Sequence, residues 1–231
     1  MQIHGFNKTT LLDYPGRVAA TVFTGACNFR CPFCHNGDLV ICPETQPLIP
    51  EAEVLALLKK RKGILTGICV SGGEPTLQTD LSDFLAKIKE LDYQIKLDTN
   101  GYRPDILKNL IENQLIDYVA MDIKSGRDGY AKACGVPALD FSRIEESVHI
   151  LMCSGLDYEF RTTVVRELHS EADFLQIGKL IAGCHAYFLQ SYVDSSKVLH
   201  PGFHACCKEE MEHFRTLLLP FVPKTELRGI D

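Results

Sequence analysis

Gly67-Ile68-Cys69-Val70-Ser71-Gly72-Gly73-Glu74-Pro75 is a short apolar run that stops on two glycines and a proline. It is too short for a helix and too apolar to face water, so it reads as a buried strand with a turn at its carboxyl end. Asp80 to Leu91 follows, with Leu81, Phe84, Leu85 and Ile88 on one helical face. A buried strand followed by an amphipathic helix is the repeating unit of a parallel α/β sheet, because parallel neighbours need a long crossover.

Working outward, the same unit recurs. Val18 to Phe23 is a strand ending in Thr24-Gly25, and Pro50 introduces a helix over Glu51 to Lys62 that Gly63 stops. Downstream, Gln94 to Asp98 reads as a strand closed by Thr99-Asn100-Gly101, and Pro104 opens a helix through Leu107, Leu110 and Ile111. Strands over Tyr118 to Ile123, Tyr158 to Val165 and Ala186 to Tyr192 alternate with helices over Phe141 to Cys153, Glu171 to Ala182 and Lys208 to Leu219. Six strands, each followed by a helix or a helix-sized loop, predict an open (β/α)6 partial TIM barrel with a parallel sheet. No linker or repeat interrupts it. One domain over 1–231 is expected, with its core at about 15–195 and a C-terminal helix and edge strand within 205–231.

Composition narrows the function. The 231 residues carry 24 Lys and Arg against 30 Asp and Glu, a net charge of −6, so no basic field exists to hold a phosphate backbone. Nucleic acid is not an expected partner. No apolar run approaches the ~20 residues of a membrane span, and Met1 to Lys8 lacks the apolar stretch of a secretory leader. A cytoplasmic protein is expected, in which ten cysteines do not serve as disulfide staples.

The unusual residues gather at one end of the strands. A cysteine loop follows the first strand and Gly-Gly-Glu-Pro the second; Asp98-Thr99-Asn100 ends the third and Asp122-Ile123-Lys124 the fourth. Carboxyl ends of parallel strands share a face where catalytic groups collect. Cys27-Asn28-Phe29-Arg30-Cys31-Pro32-Phe33-Cys34 places three thiols within eight residues. Three thiolates suit an iron–sulfur cubane with one iron left open, or a zinc ion with His35 as fourth ligand. Adjacent Cys206 and Cys207, beside His204 and His200, are a weaker candidate for a second metal site.

Cys27, Cys31 and Cys34, with Phe33 before the last, resemble the cluster motif of the radical S-adenosylmethionine superfamily, and Gly72-Gly73-Glu74-Pro75 resembles its second motif. Within it, Leu12-Asp13-Tyr14-Pro15-Gly16-Arg17, Cys34-His35-Asn36, Asp98-Thr99-Asn100-Gly101 and Met121-Asp122-Ile123-Lys124 are similar to the activating proteins of glycyl radical enzymes. Among these, the chain most resembles the activating proteins of anaerobic ribonucleoside-triphosphate reductase. The resemblance implies an enzyme whose [4Fe–4S] cluster cleaves S-adenosylmethionine reductively to a 5′-deoxyadenosyl radical, and which generates a glycyl radical on a partner. It implies flavodoxin or ferredoxin as electron donor. By the same resemblance Cys27, Cys31 and Cys34 ligate the cluster, and Glu74 with the backbone of Gly72 and Gly73 receives the amino group of S-adenosylmethionine. Lys124 and Arg161 face its carboxylate, Asp122 the ribose, the backbone of Phe33 to His35 the adenine, and Gln190 the ring. Asp98, Thr99, Met121 and Asp122 match positions where some relatives hold a monovalent cation, and Asp13 one that touches the partner's glycine loop. A radical enzyme acting on a small molecule or peptide, and a zinc or redox-sensing module, are the other readings.

Overall fold

The computed structural model describes residues 1–230. In chain order they form β1 (Ile3–Thr10), β2 (Ala19–Thr24), α1 (Gly37–Ile41), α2 (Glu51–Lys60), β3 (Gly67–Gly72), α3 (Leu81–Lys89), β4 (Gln94–Thr99), α4 (Pro104–Glu112), β5 (Tyr118–Asp122), α5 (Arg127–Cys134), α6 (Ser142–Cys153), β6 (Asp157–Val164), α7 (Glu171–Leu180), β7 (Tyr187–Ser191), α8 (Lys208–Leu218) and β8 (Thr225–Arg228). The strands keep their chain order in the sheet, β1 to β8. β1 runs antiparallel to β2, whereas the β2–β3, β3–β4, β6–β7 and β7–β8 pairs are parallel. The fold is an open, mostly parallel α/β sheet, as expected. It has two strands beyond the six predicted: antiparallel β1, and β8, which realises the expected edge strand over a shorter span.

The chain packs as two compact units, the first comprising Met1–Asn28, Asp38–Thr99 and Asp105–Ala120, the second Phe29–Gly37, Asn100–Pro104 and the chain from Met121 onward. In the first, β2, β3 and β4 are apolar runs whose Val22, Ile68, Val70, Ile95 and Leu97 are fully buried. α3 lays Leu81, Phe84, Leu85 and Ile88 into this core, the stripe its sequence spacing requires. One register row is polar instead: Thr21 of β2 stands beside Cys69 of β3, and Cys69 beside Lys96 of β4.

The second unit is built on β6, β7 and β8. Phe160, Val164, Tyr187 and Leu189 fill its core with Phe174 and Ile177 of α7 and Met211 and Leu218 of α8. α7 starts on a capping box, in which Ser170 and Asp173 satisfy each other's backbone N–H groups. Glu159 of β6 is 2% exposed and accepts two hydrogen bonds, each 2.9 Å, from the Arg228 guanidinium, which lies over the Phe188 ring at 3.3 Å. One arginine thereby ties three neighbouring strands. α5 was not expected from the sequence. Gly129 and its charged neighbours disguise a helix whose buried side is only Tyr130, Ala133 and Cys134, and which ends on left-handed Gly135.

Candidate active site

In the first unit, the backbone explains why two glycines precede Glu74. Gly73 N–H donates to Thr24 O and Glu74 N–H to Ala26 O, each at 2.8 Å. A side chain on Gly73 would put its Cβ 2.0 Å from Ala26 O, and one on Gly72, where φ is +123°, 2.2 Å from Thr24 N. The glycine pair is thus pressed against the backbone that leads directly into Cys27, and only glycine allows that approach. Ala26 itself adopts φ 65°, with its N–H held by Leu39 O at 2.8 Å. The Glu74 side chain is 1% exposed, and its Oε1 accepts from Thr76 N, Thr76 Oγ1 and Thr99 Oγ1 at 3.1, 2.6 and 2.8 Å. It therefore caps the 3-10 turn Pro75–Leu77 and joins it to the end of β4. Asp98 pairs with the Lys96 ammonium, and Asp13 accepts a hydrogen bond from the Thr21 hydroxyl.

In the second unit, the rest of the cysteine loop is stapled by backbone. Cys34 N–H closes a turn on Cys31 O at 3.0 Å, Leu199 N–H donates to Cys34 O at 3.1 Å, and His200 N–H to Pro32 O at 2.9 Å. Arg30 N–H donates to Cys134 O, and Gly135 leaves room where a Cβ would lie 2.3 Å from Arg30 O. Phe29 packs on Tyr102 and Tyr130, with ring centroids 5.4 and 6.5 Å away. Phe33 is buried. His35 bonds Val193 O through Nε2 and leans on Tyr192. The end of α5 and the segment 192–200 are thus the loop's scaffold. Sequence reasoning missed both, since a loop held by peptide hydrogen bonds leaves no residue pattern.

Charge in this unit centres on Asp122. Its Oδ2 accepts from Lys124 Nζ and its Oδ1 from Arg161 Nε, each at 3.0 Å. Burial alone would push the Asp122 carboxyl up, but Arg161 and Lys124 outweigh it and hold it at about 2. Lys124 shows the converse: burial pulls its ammonium down, yet Asp122 foremost and the Cys31 thiol next to it raise it above the usual lysine range. Burial pushes the Cys34 thiol up, and the nearby Lys124 charge opposes that. His169, itself buried, fixes the Lys124 backbone by an Nε2 contact of 2.9 Å to its carbonyl. Gln190 stands in β7 between Thr163 of β6 and Arg228 of β8.

The residues present fit an iron–sulfur cluster. None of the three cysteines is in a disulfide, Cys31 is buried and Cys27 and Cys34 are half-buried, soft sulfur donors of the kind such a cluster takes, and glycines admit close approach behind the loop. Among the described residues no three or more His, Cys, Asp or Glu side chains gather around the position of a single metal ion. Cys207 instead caps α8 with Glu210, and His204 pairs with Glu167 at 2.6 Å.

Residues 21–180 match the radical SAM superfamily. The chain belongs to it. It is therefore a radical SAM enzyme, and the superfamily's cofactors are a [4Fe–4S] cluster and S-adenosylmethionine. A protein of Methanocaldococcus jannaschii that carries the provisional name glycyl-radical enzyme activating enzyme is 31% identical over 196 residues, 82% of this chain and 79% of its own. A provisionally named GTP 3′,8-cyclase of Saccharolobus solfataricus is also 31% identical, over 58% of this chain and 42% of its own. Among solved structures, Streptococcus suis SuiB bound to its precursor peptide SuiA superposes with a TM-score of 0.72 at 12% identity. That match covers 90% of this chain and 48% of that one, and it shows the fold alone. Among the described residues no helix is long and apolar enough to cross a membrane.

Proposed function

We propose that this radical SAM enzyme is an activase, which generates a glycyl radical on a partner enzyme, most directly an anaerobic ribonucleoside-triphosphate reductase, with flavodoxin or ferredoxin as electron donor. The observation that carries this reading is the extent of likeness to the M. jannaschii protein. It spans four-fifths of both chains, whereas the cyclase match leaves more than half of the cyclase unaccounted for. The motifs Leu12 to Arg17 and Asp98 to Gly101 support the same assignment.

When bound, the reduced cluster supplies the electron that splits S-adenosylmethionine into methionine and a hydrogen-abstracting deoxyadenosyl fragment. In this reading Cys27, Cys31 and Cys34 ligate the cluster, which leaves one iron for the cofactor's methionine group. Lys124 and Arg161, already oriented by Asp122, present positive charge to its carboxylate, while the remaining capacity of Asp122 serves the ribose hydroxyls. The backbone of Gly72 and Gly73 with Glu74 receives the amino group, the backbone from Phe33 to His35 lines the adenine, and Gln190 contacts the ring. Asp98 belongs to the same cofactor site, and Asp13 meets the partner's glycine loop. The whole chain acts as one domain.

Isotope transfer tests the proposal. The reconstituted, reduced enzyme is incubated anaerobically with S-adenosylmethionine and a reductase carrying α-deuterated glycine. Deuterium in 5′-deoxyadenosine supports the activase; unlabelled 5′-deoxyadenosine, with conversion of GTP in a parallel reaction, overturns it in favour of a small-molecule enzyme.

A further inference from the structure

Lys96 is a charged side chain where an apolar one would be expected. It lies in the middle of β4 and is 2% exposed. An ammonium withdrawn that far from water needs a partner of opposite charge, because its desolvation is otherwise uncompensated. Strand alternation puts residues 96 and 98 on one face of β4, and the Lys96 ammonium indeed pairs with the Asp98 carboxylate. Its other neighbour is the Cys69 thiol, 3.8 Å away in the adjoining strand, and beyond Cys69 in the same row stands Thr21, the donor to Asp13. Asp98 is the more open member of the pair, at 17%, and it is the last residue but one of the strand. The next residue, Thr99, turns its hydroxyl toward Glu74.

Asp98 and Thr99 are the strand-end residues that the resemblance connects with a monovalent cation. Here the Asp98 carboxylate already carries a cation, tethered to the chain two residues earlier. A free alkali-metal ion on the same carboxylate would crowd the ammonium with like charge. We propose that Lys96 is the positioning residue of Asp98 and its built-in cation, so that S-adenosylmethionine binding needs no added sodium or potassium. The inference rests on the assignment of Asp98 to the cofactor site.

The test measures S-adenosylmethionine affinity by anaerobic calorimetry on reconstituted enzyme in choline, sodium and potassium chloride. The wild-type affinity stays within about twofold across the three salts. Lys96→Met binds at least about tenfold more weakly in choline chloride and regains affinity in sodium or potassium chloride. Asp98→Asn binds weakly in every salt, and the double variant matches it, since Lys96 acts through Asp98. Thermal melting of the chains before reconstitution guards against misfolding: Lys96→Met melts lower, and adding Asp98→Asn restores part of the loss by removing the stranded carboxylate. A wild type that requires sodium or potassium overturns the inference. So does a Lys96→Met enzyme that binds normally, or one whose weak binding no salt improves. Normal binding by Asp98→Asn instead overturns the placement of Asp98 in the cofactor site, on which the inference stands.

Discussion

Removing Arg161 should expose how the Asp122 cluster is held. Two cations keep the Asp122 carboxyl at about 2, against an ordinary 3.8. A shift of that size corresponds to about 2.4 kcal/mol at full strength, and the 31% exposure of Asp122 discounts it to roughly 1–2 kcal/mol. The charge of Arg161 is the largest single favourable influence, so its interaction with Asp122 should be worth about 1 kcal/mol. Urea denaturation of wild type, Arg161→Gln, Asp122→Asn and the double variant gives that coupling directly. The sign with pH follows from the depressed value. The folded carboxylate holds its proton less tightly than the unfolded one, so the stabilisation is complete above pH ~4 and is lost as pH falls through about 2. Lys124, whose ammonium is raised, stays charged across the neutral range and does not alter this window. The coupling should therefore be the same at pH 7 and 5 and shrink in stronger acid. Zero coupling at pH 7, or coupling that ignores acid, would refute the reasoning.

Other perturbations have equally definite outcomes. Arg228→Met strands the buried Glu159 and should lower stability by about 2–3 kcal/mol, a fall of roughly 5–10 °C in melting temperature; adding Glu159→Gln should recover most of it. No recovery would mean that Arg228 acts by packing on Phe188 alone. Gly73→Ala drives a Cβ into the Ala26 carbonyl, and should cost at least about 2 kcal/mol and reduce iron uptake on reconstitution; normal iron content would contradict the buttressing role. Burial lowers the affinity of His169 for a proton, so the unfolded chain takes up more protons below the ordinary value of 6.5 and wild-type stability should fall from pH 7 to pH 5. His169→Gln should flatten that slope, and an unchanged slope would clear His169 of the effect.

The parallel core was legible because strands covered on both faces appear as short apolar runs between turn signals, and helices such as α3 carry a clean stripe. β1 was not. Asn7 to Thr9, in its second half, face solvent in an unbroken run, and the strand shows no alternation. The cysteine motif and the glycine pair were also readable, since each is a local spacing with a chemical purpose. Glu74 was readable as a functional carboxylate, but its work as a cap bridging to Thr99 depends on strand neighbours. Lys96 passed as an ordinary strand residue, because a buried ion pair becomes visible only when both burial and partner are known. The scaffold of the cysteine loop, from Cys134 and residues 192–200, is made of peptide groups common to every sequence.

Electron paramagnetic resonance on the reconstituted, reduced enzyme, mixed anaerobically with S-adenosylmethionine and an anaerobic ribonucleotide reductase of the same source, tests the central claim most directly. A glycyl doublet on the reductase is predicted, absent when Cys27, Cys31 or Cys34 is replaced by alanine. Formation of 5′-deoxyadenosine with loss of the reduced-cluster signal but no doublet would contradict the activase assignment and direct the search to another substrate.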